Sequence, residues 1–207
     1  MTVVRTTSRD ARAVAKEAEG GFRARLLAAL ATCIAEDGYR RTTVADIVRR
    51  ARTSRRTFYE HFSDKESCYL ALLADANGRM IEQISAAVDP KARWDMQIRQ
   101  AVAAWIAAAE SAPALTLTWI RDLPALGTAA RTLQRDMMDE FVAMIQRLCD
   151  TEELRAAGIH PMSRQPAVIL LGGLRELMAS TVEDGGRISD VTEVAVEASI
   201  ALLGPRS

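Results

Sequence analysis

Apolar residues along this chain recur at intervals of three and four, which is the spacing of one face of an α-helix. Phe22, Leu26, Leu30 and Ile34 form one such face near the start of the chain. No segment shows the strict alternation of a half-buried strand. The pattern predicts an all-α protein with about nine helices, at residues 22–37, 44–51, 55–61, 65–87, 91–110, 113–122, 128–149, 163–183 and 189–203.

Short polar motifs set the limits of the first helices. Thr43-Val44-Ala45-Asp46 has the form of a capping box, in which the acidic side chain can reach back to the capping residue. Ser54 can cap the next helix, and Ser63-Asp64-Lys65-Glu66 is predicted to be a second capping box. Asp89-Pro90 ends the long helix that follows, because proline lacks the amide donor that a helix interior needs.

The two short helices at 44–51 and 55–61 form a predicted helix-turn-helix, since only a tight turn separates them. Their apolar residues lie where a small core needs them, and the helix at 22–37 can close that core. The inward residues of the two helices are Ile47, Val48, Ala51, Phe58 and Phe62.

The outward face of the second short helix consists largely of hydrogen-bond donors. A recognition helix inserts its N-terminal end into the major groove, so Arg55, Arg56 and Thr57 are the candidate base readers. Tyr59 and His61 suit flanking phosphates, and the helix start at Lys65 suits another phosphate. An ordinary solvated surface is the alternative. The predicted DNA-contacting residues are Thr43, Ser54, Arg55, Arg56, Thr57, Tyr59, His61 and Lys65.

The charge distribution agrees with a polyanion contact at the N-terminal end. The net charge of the chain is zero, but residues 1–65 carry 14 Lys or Arg against 8 Asp or Glu. Residues 66–207 carry 13 against 19, so the basic part is confined to the first third. A basic region on an otherwise acidic protein favours binding to nucleic acid.

The segment from Thr42 to Glu66 resembles the DNA-binding domain of TetR-type repressors, also called TetR/AcrR-like. The resemblance is strongest at Thr43, Ile47, the run Thr57-Phe58-Tyr59, His61-Phe62 and Lys65-Glu66, and the rest of the chain matches only in layout. It implies a cytoplasmic, homodimeric repressor that binds a pseudo-palindromic operator on double-stranded DNA and leaves it when a small, largely apolar effector binds.

Two residues depart from the family's pattern. Arg52 stands where a glycine is common in the turn, so the turn must adopt another backbone conformation or tolerate strain. Arg56 stands where a small residue is common, and it can add a contact to a base or phosphate.

The resemblance also implies a domain organisation. We predict a flexible basic arm at 1–20, a helix-turn-helix domain at 21–67, and a helical effector-binding and dimerisation domain at 68–207. The candidate effector-binding residues are Trp94, Trp105, Trp119, Arg121, Met137, Phe141 and Met144, with ordinary core packing, or a surface ion pair for Arg121, as the alternative. The candidate dimer-interface residues are Leu171, Leu174, Met178, Val191, Ala195, Ala198 and Leu202, with packing inside one chain as the alternative.

Other classes of function find little support in the sequence. The three cysteines are widely spaced and there are only two histidines, which argues against a disulfide framework or a metal site and favours buried thiols. There is no Gly-rich phosphate loop or nucleophile elbow, so we expect no enzyme, no catalytic residue and no cofactor. The N-terminus has no apolar core of signal-peptide length, and no apolar stretch approaches the ~20 residues that a membrane span needs. The remaining alternatives are a regulator that activates or ignores ligands, a dimeric interaction protein without DNA binding, and an enzyme that uses the core cavity.

Overall fold

The structure is a computed structural model that describes residues 8–205, with side chains from residue 21 onward. Within that range the chain forms ten α-helices and no strand, which confirms the predicted all-α class. The helices are α1 Ser8–Asp37, α2 Val44–Arg50, α3 Arg55–His61, α4 Lys65–Ala87, α5 Trp94–Glu110, α6 Pro113–Arg121, α7 Gly127–Leu148, α8 Glu152–Ala156, α9 Arg164–Glu183 and α10 Thr192–Leu203.

The largest differences from the sequence prediction concern α1, α8 and the last helix. Helix α1 begins at Ser8 rather than near residue 22, and residues 1–7 of the predicted basic arm lie outside the described residues. Helix α8 was not predicted; the Thr151 side chain caps it by accepting from the amide of Leu154, which is buried. The last predicted helix is divided, because a 3₁₀ turn at Ile188–Val191 precedes α10.

The chain divides into two compact units, and the boundary falls inside α4, after Leu72. The first unit holds α1, α2 and α3, which all contact one another. The predicted inward residues are all buried, which confirms that the apolar faces of these helices meet as the spacing predicted. These residues are Leu26, Leu30, Ile34, Ile47, Val48, Ala51, Phe58 and Phe62.

The second unit is built around one large apolar core from α4 to α10. Helix α5 packs against α10, and α9 packs against α6, α7 and α10. The three cysteines of the chain are buried and form no disulfide, as predicted. Burial raises the pKa of Cys68 to about 12 and that of Cys149 to about 11, so both thiols stay protonated at neutral pH.

Within the described part of the chain, no single helix is long and apolar enough to cross a membrane. One bent helix pair, Trp94–Glu110 with Pro113–Ala125, reaches that length and composition only when the two helices are taken together.

Candidate DNA-binding face and buried cavities

Helix α2 begins with the capping box that the sequence predicted. The Thr43 hydroxyl accepts a hydrogen bond from the amide of Asp46, and the Asp46 carboxylate accepts from the amide of Thr43 at 3.0 Å. The same carboxylate also accepts from the Thr43 hydroxyl and from Arg49 at 2.8 Å. The hydrogen bonds from Thr43 hold the pKa of Asp46 below its ordinary value.

Helix α3 presents the predicted polar face to solvent. Phe58 and Phe62 are buried, whereas Arg55, Arg56 and Tyr59 are exposed. Tyr59 is 56% exposed, which is unusual for a large aromatic side chain and leaves its ring and hydroxyl available to a partner. The helix thus holds two phenyl rings in the core and presents donors on its opposite side.

The N-terminal end of α3 is fixed by its own side chains. The Ser54 hydroxyl accepts from the Thr57 amide at 3.1 Å and lies 3.0 Å from the Thr57 hydroxyl. Arg56 forms an ion pair with Glu60 one turn later at 3.1 Å, with its side chain 89% exposed. An exposed pair of this kind contributes little stability, so Arg56 can exchange Glu60 for a phosphate or a base at small cost.

Arg52, which stands where a glycine is common, determines the backbone conformation of the turn between α2 and α3. Arg52 has a φ of +50°, the only positive φ among the described non-glycine residues. This is the left-handed region, which costs an L-residue energy because its Cβ crowds the following carbonyl. Of the two possibilities left open by the sequence, the chain keeps the glycine-like turn and tolerates the strain.

Lys65 has a different environment from the one that the sequence suggested. Its ammonium donates to the backbone oxygens of Tyr39 at 2.9 Å and Thr42 at 2.8 Å, and it lies 4.3 Å from the centre of the Tyr39 ring. Burial lowers the pKa of this ammonium. Two of its three protons are therefore occupied within the domain, which leaves at most one for a phosphate.

The cap of α4 is Asp64 and not Ser63. The Asp64 carboxylate accepts from the amide of Ser67 at 2.7 Å, and the Asp64 amide donates to the Ser67 hydroxyl at 3.2 Å. The reciprocal pair therefore joins positions 64 and 67, one residue later than the predicted box. Aspartate competes well with serine for the capping position, so both registers were possible from the sequence.

The second unit contains an apolar cavity of about 80 Å³ between α4, α5, α7, α9 and α10. Its walls include Ile98, Val102, Trp105, Phe141 and Leu171. Its two polar wall residues, Gln97 and Ser199, use their donors within the fold, on the backbone oxygens of Pro90, Ala92 and Ala195. The space therefore suits an apolar group. We call it the apolar cavity.

Two further spaces adjoin the apolar cavity through shared wall residues. One, of about 170 Å³, is lined by Asn77, Thr116, Trp119 and Phe141 among others, and is more polar. The other, of about 10 Å³, is lined by Trp105, Trp119, Gln134, Met138, Phe141, Leu171 and Arg175. Phe141 lines all three spaces. We call the smallest space the tryptophan pocket.

Five of the predicted effector-binding residues line these spaces and two do not. Trp105, Phe141 and Met144 line the apolar cavity, and Trp119 and Met137 line the polar one. Trp94 instead packs against Gly204, where an added Cβ would lie 3.3 Å from its ring. Arg121 lines none of the three spaces, because its guanidinium forms paired hydrogen bonds with Glu176 and Glu183 at 2.7–2.9 Å.

Sequence analysis missed Arg175, which lines the tryptophan pocket from α9. Its guanidinium carbon lies 4.4 Å from the centre of the Trp119 ring, and its buried Nε has no hydrogen-bond partner within the described residues. Burial lowers the pKa of this guanidinium. The pattern that could have identified it is a cation on the apolar stripe that also carries Leu171, Leu174 and Met178.

The predicted dimer-interface residues divide into two groups. Leu171, Leu174, Met178, Val191 and Ala195 are buried in the core of their own chain, so they are not available to a partner. On each helix the larger apolar stripe faces the core, because burying the larger apolar area stabilises the folded chain more. Only Ala198 and Leu202 are exposed as the prediction requires.

A different face of α9 and α10 is apolar and exposed. Ile169 is 68% exposed, and Val194 and Leu202 are 49% and 45% exposed. Glycine or alanine residues lie three or four positions from each of them along the same helix. The exposed residues of this face are Ile169, Gly172, Gly173, Val194, Ala198, Ala201 and Leu202, which we call the α9–α10 face.

The comparisons with known proteins agree with this architecture. Residues 26–72 match the family model described as bacterial regulatory proteins of the tetR family. Among solved structures, the regulator FadR from Bacillus subtilis in complex with stearoyl-CoA has a TM-score of 0.73 and 16% identity, covering 86% of this chain and 98% of its own. FadR from Bacillus halodurans gives 0.70 at 17%, covering 88% and 98%, and Salmonella enterica GusR gives 0.67 at 19%, covering 88% and 95%. No curated protein matches the sequence of this chain.

The chain shares its fold with solved transcriptional regulators, and helix α3 presents hydrogen-bond donors to solvent. Residues 26–72 are similar to bacterial regulatory proteins of the tetR family, and the chain as a whole has the fold of these solved regulators.

Proposed function

We propose that this protein is a repressor that binds a pseudo-palindromic DNA operator as a homodimer and is released from it by a small, largely apolar molecule. The observation that carries the proposal is helix α3, which buries Phe58 and Phe62 while it exposes Arg55, Arg56 and Tyr59 on its other side. Arginine at the N-terminal end of a recognition helix can pair with both acceptors of a guanine.

The α9–α10 face supports the homodimer. Exposed large apolar side chains are typical of a contact surface, and glycine and alanine allow a partner helix to approach closely. Two copies related by a twofold axis present two recognition helices, and operator half-sites about 34 Å apart then form an inverted repeat. The five buried residues that the sequence predicted for the interface lie outside this surface.

Effector release is inferred from the apolar cavity and from the course of α4. The helix begins in the first compact unit and ends in the second, where Ile84 and Val88 line the cavity. A ligand that prefers one position of these side chains shifts the balance between two states by its difference in affinity for them. The Bacillus subtilis regulator was solved with stearoyl-CoA, whose acyl chain is apolar, and the walls of this cavity would accept an apolar chain.

The alternatives are a regulator that activates transcription or responds to no ligand, and an enzyme. The cavity favours ligand control, and the DNA-binding domain favours regulation over catalysis. We therefore propose a cytoplasmic regulator without a catalytic role.

Fluorescence anisotropy of purified protein, titrated against the DNA upstream of its own gene, tests the proposal. The titration is made at two salt concentrations, with nonspecific competitor present. We expect tight binding that resists competitor and weakens as salt rises, because phosphate contacts release counterions. Binding that disappears with competitor here, and in a genome-wide selection of bound fragments, would contradict the proposal.

A further inference from the structure

We propose that the effector is an organic carboxylate whose charged group binds in the tryptophan pocket beside Arg175 and whose apolar tail occupies the apolar cavity. The inference rests on the proposed function, since it concerns the ligand of the same domain. It assigns the chemical class of that ligand and the side chains that select it.

Three hydrogen-bond donors around the tryptophan pocket are buried and unused. The indole Nε1 atoms of Trp105 and Trp119 and the guanidinium Nε of Arg175 all lack an acceptor within the described residues. Most buried donors in proteins are paired, because a donor removed from water without a partner costs about 1–3 kcal/mol. Three such donors around one space indicate that a ligand supplies the acceptor.

The charge of the pocket identifies the acceptor as an anion. Arg175 is half-buried and forms no ion pair among the described residues, and its guanidinium lies over the ring of Trp119. The adjacent Glu176 is engaged with Arg121 through two hydrogen bonds. The charge of Glu176 is thus shared between Arg121 and Arg175 and neutralises the half-buried Arg175 only in part, so an anionic ligand gains more from this pocket than a neutral one.

The volume of the tryptophan pocket and its position beside the apolar cavity limit which ligands can bind. A space of about 10 Å³ accommodates one oxygen atom, and a carboxylate presents such an oxygen without the bulk of a phosphate. Trp105, Phe141 and Leu171 line both the tryptophan pocket and the apolar cavity, so the two spaces adjoin. A chain attached to the carboxylate can therefore enter the apolar cavity beside the Phe141 ring.

A trapped water molecule is the competing occupant. One water can accept two hydrogen bonds, but it carries no charge that would neutralise Arg175 further. Ligand binding distinguishes the two, because a water gives no preference for a charged ligand.

Binding of matched ligands to the purified full-length protein tests the inference. Isothermal titration compares hexanoate, octanoate and decanoate with the primary alcohols of the same lengths at neutral pH. We expect at least one carboxylate to bind at least tenfold more tightly than its alcohol. Equal affinities throughout, or no binding by any carboxylate, would overturn the proposal.

Arg175→Met removes the charge but keeps an unbranched side chain, and we expect it to abolish the preference for the carboxylate. Arg164→Met is the matched control, since Arg164 lies on the same helix, pairs with Asp139 and lines none of the three spaces. The control should keep the preference. A preference that survives in Arg175→Met would overturn the assignment.

The tryptophans give a second measurement that does not depend on the folding of a variant. In a ¹H–¹⁵N spectrum the carboxylate should shift the indole N–H signals of Trp105 and Trp119, while Trp94, which lines none of these spaces, stays unchanged. Trp119→Phe should bind the carboxylate more weakly. An unchanged spectrum of bound protein would place the carboxylate elsewhere.

The ligand measurement and the DNA measurement distinguish a failure of this inference from a failure of the proposed function. A carboxylate that binds as expected but leaves operator DNA bound supports this inference and contradicts release by that ligand. Operator release by the alcohols, with no preference for carboxylates, supports the proposed function and overturns this inference.

Discussion

The ammonium of Lys65 lies 2.8 Å from the backbone oxygen of Thr42, so the first residue of α4 secures the segment that leads into α2. A second hydrogen bond goes to the backbone oxygen of Tyr39. Lys65→Met should lower the free energy of unfolding by about 2 kcal/mol, because two charge-assisted hydrogen bonds are lost and their acceptors are left partly buried. Urea unfolding without DNA measures the loss.

Lys91→Met is the matched control for this variant, since Lys91 is exposed. It should unfold at the same urea concentration as the wild type. If the two variants have equal stability, Lys65 has no structural role, and its contribution must come from DNA.

The strained turn at Arg52 gives a second prediction. Arg52→Gly should stabilise the protein by about 1 kcal/mol relative to Arg52→Ala, since both lose the side chain but only glycine accepts a φ of +50° at no steric cost. Thermal unfolding of the two variants measures this difference directly. Equal midpoints, or a more stable alanine variant, would show that the turn is not strained.

These two residues illustrate what the sequence could and could not establish. The absence of glycine at position 52 indicated a choice between strain and a new turn, because the steric rule is local. The position of Lys65 at a helix start suggested a phosphate site, but its actual acceptors lie more than twenty residues away along the chain. Local periodicity and capping predict helices well, whereas contacts between distant segments depend on how the helices pack.

The capping box of α2 predicts a pH dependence. The pKa of Asp46 is lowered in the folded state, so its contribution to stability is present above its unfolded pKa and is lost as pH falls through the folded pKa. Asp46→Asn should therefore be less stable than the wild type at neutral pH, and the difference should shrink in acid. Thermal midpoints across an acid series measure it. A difference that stays constant with pH would rule out the charge as its source.

Because α3 exposes Arg55, we predict that replacing this residue weakens sequence-specific DNA binding. Arg55→Ala should weaken binding to the operator by about 1–3 kcal/mol while leaving nonspecific DNA binding nearly unchanged, because a base contact discriminates between sequences. Anisotropy with operator and scrambled DNA measures both. Arg164→Ala is the control, as an exposed arginine outside the DNA-binding domain. Equal losses on both DNAs would assign Arg55 to the phosphate backbone.

The apolar cavity and the α9–α10 face show what helical periodicity leaves undetermined. Leu171 and Ile169 both lie on α9, yet Leu171 lines the apolar cavity and Ile169 is exposed. Periodicity identifies the apolar stripes of a helix but does not determine which stripe meets the core and which meets a partner. Arg175 was missed for a related reason, since its surroundings come from α5, α6 and α7.

The last prediction concerns the dimer contact that we propose at the α9–α10 face. Ile169→Glu places a charge on a surface that would be buried between two copies, so the dimer should dissociate to monomers that remain helical. Sedimentation velocity measures the mass, and circular dichroism confirms the fold. Thr132→Glu, on an exposed position of α7, is the control and should remain dimeric. Because each monomer carries only one recognition helix, Ile169→Glu should also lose most of its operator affinity. A variant that stays dimeric would assign the interface to another surface.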